Sequence, residues 1–209
     1  PGGPVITGFI NMIKSVGLEG YQVVLRPIEL GDVEQLRQWR NSQWVKQFML
    51  TDDDISPEQQ RAWFEHISRA TNQIHFLIEY KQQAIGSCNI KARGQVVDIE
   101  QAKHLELGLY IGEQRFMGNI IAFAPTLLMN DYCFEQLNAT QLRAVVKDEN
   151  QAAMRYNEKL GYRIVNAGQL NELVLTREQY QLQAKPIKAI TKRPLREKTQ
   201  RKKKKDTKQ

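Results

Sequence analysis

HLELGLYIGEQRFMGNIIAFAPTLLMNDYCFEQL, residues 104–137, changes its apolar period across one glycine-containing turn. In 104–112, Leu105, Leu107, Leu109 and Ile111 alternate with Glu106, Gly108 and Tyr110, the pattern of a half-buried β-strand. Across 120–137 the apolar side chains recur at helical spacing instead. The loop EQRFMGN, 113–119, therefore leaves a strand and opens a helix. The first amides of a helix lack intrahelical partners and carry the positive end of its dipole, so such a turn suits phosphates. Gly118 would let the main chain approach an anion closely, and Arg115 would add a charge-assisted contact.

A second strand and helix follow in QLRAVVKDENQAAMRYNEKLGYRIV, 141–165. The two segments together carry a resemblance. The run Arg115-Phe116-Met117-Gly118-Asn119-Ile120 resembles the Gln/Arg-x-x-Gly-x-Gly/Ala pyrophosphate loop of the GNAT acetyltransferase superfamily. Downstream, Asn150, Ala153, Lys159, Leu160, Gly161 and Tyr162 fall in step with its Asn-x-x-Ala-x-x-x-Tyr-x-Lys-x-Gly-Phe segment. The resemblance spans about 23–176. It implies an α+β fold: a central mixed, mostly antiparallel sheet of six to seven strands with helices on both faces and a splayed cleft between the fourth and fifth strands. It also implies acetyl-CoA as co-substrate and no metal.

Carried over residue by residue, the resemblance implies a diphosphate held by Arg115, Met117, Gly118, Asn119 and Ile120. The pantetheine arm would run along Leu109, Tyr110 and Ile111 and pass Asn150 and Asn157. Two positions depart from the pattern. Ile120 stands where the family prefers Gly or Ala, which bears on loop packing. Asn157 stands where many members have a tyrosine that protonates the departing thiolate, which leaves Tyr156, one position earlier, as the candidate acid. Adjacent helix positions differ by about 100°, so Tyr156 is not an automatic substitute. A free thiol ionises near 8.5, so collapse without a strong acid is tolerable. The acceptor amine must lose a proton, at a cost of about 4–5 kcal/mol for a lysine-like group at pH 7, and Glu106 is the candidate base.

Ahead of this region, YQVVLRP at 21–27 reads as a strand ended by Pro27, and 33–49 as a helix that breaks near Asn41-Ser42. Trp39, Arg40 and Asn41 are candidate substrate-binding residues, with Trp39 stacking on a ring and Arg40 holding an anionic group. Ser56-Pro57-Glu58 marks a helix start. Residues 73–80 and 84–91 read as antiparallel strands joined by a tight turn at 81–83 and leading into the strand from His104. A closing strand at 170–176 precedes a last helix. Domain boundaries are drawn as an N-terminal extension, 1–20, partly foreign to the natural chain because Pro1 is no initiator; the acetyltransferase domain, 21–184; and a basic disordered tail, 185–209.

The formal net charge is +7, but twelve Lys or Arg against Glu197 and Asp206 put +10 in residues 185–209, leaving the body at −3. Such a tail suits RNA or a ribosome surface. Cys88 and Cys133, like His66, His75 and His104, lack metal-ligand spacing. No apolar run reaches the roughly 20 residues of a membrane span, and a cytoplasmic location is the expectation. The leading function is acetyl-CoA-dependent N-acetylation of a primary amine, with a nucleotide-linked amino sugar as acceptor. The alternatives are acetylation of a protein N-terminus of the ribosomal type and a catalytically silent CoA-binding regulatory module. Oligomeric state is not legible.

Overall fold

The computed structural model describes residues 13–14, 16–94, 97–137 and 139–192. Five strands, β1 (Leu18–Gly20), β2 (Val23–Pro27), β3 (Gln73–Tyr80), β4 (Gln83–Ala92) and β5 (His104–Ile111), pair antiparallel, each with the next. The turns β1–β2 and β3–β4 are two-residue loops in which both residues have positive φ: Tyr21 and Gln22 at 51° and 70°, Lys81 and Gln82 at 48° and 62°. That is the turn whose twist matches the flanking strands. β6 (Gln141–Lys147) lies parallel to β5, and β8 (Leu170–Thr176) inserts antiparallel between β6 and β7 (Arg163–Asn166). The sheet therefore runs β1-β2-β3-β4-β5-β6-β8-β7.

Helices cover both faces. On one, α1 (Val33–Asn41), the short α2 (Gln43–Lys46) and α3 (Pro57–Arg69) follow β2. Leu36 and Trp39 of α1 pack there on Leu77, with half-buried Trp63 and Tyr110 beside them. On the other lie α4 (Ala124–Glu135), α5 (Gln151–Leu160), α6 (Arg177–Gln183) and α7 (Lys185–Thr191). The larger core fills this side, where Leu105, Leu107 and Ile111 meet Leu127, Met129, Leu160 and Tyr180. Ser56 and Gln59 form a capping box at α3, with Gln59 N 3.1 Å from Ser56 Oγ and Ser56 N 2.8 Å from Gln59 Oε1.

Three expectations need correction. The sheet has eight strands, not six or seven, because β1 belongs to it: Leu18 pairs with Leu25, and Ile13 is buried in the core. Residues 18–20, drawn within the extension, thus belong to the sheet, and residues 1–12 lie outside the described residues. The tail drawn from 185 begins with an ordered helix, α7, in which Pro186 occupies the first turn, where a missing N–H costs nothing. Lys188 Nζ lies 2.7 Å from Asp131 Oδ1, and Thr191 is buried. Asp131 also accepts from the hydroxyls of Tyr21 and Tyr180, so one carboxylate ties β1–β2, α4, α6 and α7 together. Pro194 and the lysine run 202–205 lie outside the described residues.

The helix expected at 120–137 is divided into a 3-10 turn, Ile120–Phe123, followed by α4. Pro125 marks the division: it stands in the first turn of α4, where its missing N–H costs nothing, and it has no N–H to give a helix continuing from Ile120. β5 and β6 are in register only at His104↔Gln141, Leu105↔Leu142 and Glu106↔Arg143. Beyond Glu106 the two strands separate, and the main-chain edge of β5 on this side has no strand partner.

Candidate active site

The separation of β5 from β6 opens a cleft of about 480 Å³. One half is walled by main chain and small or apolar side chains: Leu107, Gly108 and Leu109 of β5 and Ala144, Val145 and Val146 of β6. Helices close this half with Thr126 and Met129 from α4 and with Asn150, Ala153, Tyr156 and Asn157 from α5. In the other half, β3, β4 and β5 contribute His75, Ser87, Asn89, Lys91 and Glu106. Arg40, the loop 48–51 and Gln59, Gln60 and Trp63 of α3 face them.

Glu106, the expected base, stands where the strands part. Its Oε1 accepts from Arg93 at 3.0 Å, and Arg93 also reaches Glu172, which Arg143 Nη1 meets at 2.8 Å. The second carboxylate oxygen of Glu106 takes no hydrogen bond from any described residue. Asn150 caps α5 by accepting from Ala153 N at 3.1 Å, and it lines the cleft as well. Asn157 is buried and donates one Nδ2 hydrogen to Ala153 O at 2.9 Å, within its own helix. Tyr156 donates its hydroxyl to Thr126 Oγ1 and packs its ring on Phe123, with centroids 4.4 Å apart. Burial pushes the Tyr156 phenol well above its ordinary value.

The loop after β5 lies beyond the cleft and does not line it. The bulged carbonyl of Ile85 fixes its start by accepting from Gly112 N and Glu113 N at 2.8 and 3.2 Å. Gly118 has φ +72°, and a Cβ there would meet nothing within 4 Å, so open space lies over its backbone as a close approach requires. The amides around it are only partly free, however. Met117 N and Asn119 N donate to Gln114 O and Phe116 O, and Asn119 caps the next turn by taking Ile121 N. Among the described residues the amides of Gly118 and Ile120 make no backbone hydrogen bond. Arg115 turns to Gln83 Oε1 and stacks 4.7 Å over the Phe116 ring, and Met117 is exposed. The expected unpaired helix start is instead a pair of 3-10 turns that consume most of their own donors, leaving two amides for an anion.

The comparisons with known proteins bear on this arrangement. Residues 22–163 match the acetyltransferase (GNAT) domain model. The chain belongs to the GNAT acetyltransferase family. Solved structures share the fold at low identity. A spermidine N-acetyltransferase from Vibrio cholerae, in complex with CoA and spermine, is 18% identical, with TM-score 0.66 over 78% of this chain and 99% of that one. Mycobacterium smegmatis RimJ, in complex with CoA-disulfide, is 17% identical, with TM-score 0.65 over 80% and 88%. Campylobacter jejuni N-acetyltransferase PseH is 17% identical, with TM-score 0.55 over 75% and 99%. No curated protein matches the chain in sequence.

In this acetyltransferase the triplet Trp39-Arg40-Asn41 divides into three roles. Trp39 is a core residue: it is 4% exposed and does not line the cleft, and a Cβ on Gly112 would fall 2.2 Å from its ring. Asn41 is a loop clamp, its Nδ2 2.9 Å from Ile55 O and its Oδ1 2.8 Å from Ile55 N. Arg40 alone turns into the cleft, as one helix step of about 100° allows. Its Nε is buried without a hydrogen-bond partner, and it forms no ion pair among the described residues. Tyr110, expected beside the pantetheine arm, lines the cleft and packs on the α1 side near Arg40, with its phenol raised by burial.

Sequence reading missed His75, Trp63 and Thr126 as cleft residues. Trp63 and His75 meet edge to face, with ring centroids 5.2 Å apart, and His75 Nε2 lies 2.8 Å from Gln73 Oε1. Loss of hydration, then the charges of Lys91, His66 and Lys14, hold His75 down to about 3, so it is neutral at neutral pH. Cys88 and Cys133 are buried thiols raised by burial, outside the cleft lining. Among the described residues no cluster of His, Cys, Asp or Glu could hold a metal, and no helix is long and apolar enough to cross a membrane.

Proposed function

We propose that this acetyltransferase moves an acetyl group from acetyl-CoA to a primary amine by direct attack on the thioester, with a nucleotide-linked amino sugar as the acceptor. The observation that carries the reading is the continuity of one cleft from the free edge of β5 to the polar pocket holding Glu106 and Arg40. An extended amide-bearing arm would pair with that edge as an added strand, which places its thioester beside Glu106. Main-chain donors on the same edge would face the oxygen that becomes negative during attack. Glu106, with one oxygen held by Arg93, keeps the other for the proton that the amine must lose. The diphosphate would rest on Gly118 and Ile120 amides, and Arg115 would have to leave Gln83 to join them.

The acceptor half favours an anionic partner. Arg40 has no counter-ion among the described residues, Lys91 lies on the same lining, and one oxygen of the Glu106 carboxylate is already paired. A polycationic amine would meet net positive charge there, whereas a sugar carrying phosphates would satisfy the buried Arg40 Nε. The test is thiol release from acetyl-CoA with a panel of a nucleotide-linked amino sugar, the free amino sugar, spermidine and a peptide with a free N-terminus. The nucleotide-linked sugar should give the highest kcat/KM, and Glu106→Gln should lower kcat about 100-fold while leaving acetyl-CoA affinity unchanged. Preference for the peptide would select the ribosomal-type reading, and no turnover with any amine despite tight CoA binding would select the silent module.

A further inference from the structure

We infer that Thr126 donates the hydrogen bond that stabilises the departing thiolate, and that Tyr156 positions it; the inference rests on the acetyl-transfer reading above. The residue at the family's tyrosine position, Asn157, lines the cleft but is a carboxamide with no acidic proton, and one of its two Nδ2 hydrogens is spent on Ala153 O at 2.9 Å. Tyr156 points its hydroxyl at Thr126 and donates to it. A buried phenol with a raised pKa keeps its proton against a thiolate whose conjugate acid ionises near 8.5, so Tyr156 is a hydrogen-bond donor and not an acid.

Thr126 has the complementary property. Its side chain is 4% exposed yet lines the cleft, and its oxygen accepts from Tyr156, while its own O–H finds no acceptor among the described residues. A buried hydroxyl with an unspent proton beside a cleft awaits an acceptor from a ligand. Thr126 also stands in the first turn of the twelve-residue α4, whose dipole favours negative charge there. In the step, the amine nitrogen forms the C–N bond and the C–S bond breaks, with its electron pair staying on sulfur. The sulfur accepts the Thr126 hydrogen bond, the amine's proton leaves through Glu106 to solvent, and the thiolate later equilibrates with solvent protons. No proton is drawn permanently from Thr126 or Tyr156.

The test reads the bound thiol directly. Ultraviolet titration of CoA bound to the full chain should give a thiol ionisation constant about tenfold larger in the wild type than in Thr126→Val, the usual scale for one hydrogen bond to a charged group. Thr126→Ser should restore the wild-type value, and Tyr156→Phe should fall between. Thr126→Ala gives the same reading where valine packs badly. In turnover, Thr126→Val should lower kcat about tenfold with the KM for acetyl-CoA unchanged. Tight CoA binding with equal thiol titration in wild type and Thr126→Val overturns this inference alone. Failure of the wild-type chain to bind CoA overturns the acetyl-transfer reading and this inference with it.

Discussion

The two halves of the cleft are built from different materials. Around β5, β6 and α5 the wall is strand edge with Leu109, Ala144 and Val146, and its polar side chains are already bonded to neighbours: Asn150 to Ala153 N, Asn157 to Ala153 O, Tyr156 to Thr126. Around α1 and α3 the wall is side chain, and it holds Arg40, whose buried Nε has no partner among the described residues, Lys91 and a neutral His75. The first half offers what any extended amide-bearing arm needs, because main-chain donors and acceptors are the same in every sequence. The second reads a particular molecule, since its charges arrive from α1, β3, β4 and β5 separately. Under the proposed acetyl transfer, such a division would separate a common donor from a specific acceptor.

Three substitutions probe that contrast. The largest effect is expected at Trp39, where Trp39→Ala removes a ring packed against Gly112 and should cost about 3–5 kcal/mol in denaturant unfolding, with little change in the KM of the surviving folded protein. A normal melt with a raised acceptor KM would return Trp39 to the cleft wall. Next comes Arg40→Met, which removes the unpaired charge; it should raise the KM for an anionic acceptor about 10- to 100-fold and leave acetyl-CoA binding as it was. Equal losses for neutral and anionic amines would break the sign argument.

At neutral pH the smallest effect is expected at His75, whose contribution emerges only on acidification. Its folded value of about 3 lies below the unfolded 6.5, so the unfolded chain alone takes up the proton between those values. Stability is therefore full above about pH 6.5 and falls by up to about 1.4 kcal/mol per pH unit as the pH drops toward 3. His75→Gln should flatten that part of the unfolding profile while carboxylate titrations elsewhere remain. An unchanged profile would place His75 in contact with water and weaken the account of a dry acceptor half.

How much of this was legible in sequence varies with the range of the interaction. The strand at 104–111, the loop and Asn150 were readable because each depends on neighbours within a few residues. The order of elements followed from periodicity. Boundaries were less secure: β1 depends on Leu18 finding Leu25, and α7 on Lys188 finding Asp131, partners that local pattern does not reveal. In the triplet 39–41 the residue types suggested one shared role, and packing assigned three. The loop after β5 shows the reverse case, for Gly118 has the positive φ and open face that a close approach needs, while the capture of neighbouring amides by Gln114, Phe116 and Asn119 was not foreseen.

By itself the sequence determined that strand, glycine loop, helix, strand and capped helix follow one another in the order of an acetyltransferase, since alternation, spacing and capping act over a few residues. Only the tertiary structure decided that β5 and β6 part company after Glu106, that Arg40 enters the opening while Trp39 leaves it, and that Tyr156 meets Thr126. These are contacts between segments far apart in the chain. Their energies come from burial and from polar groups that must find partners, and neither is fixed until the whole sheet has closed.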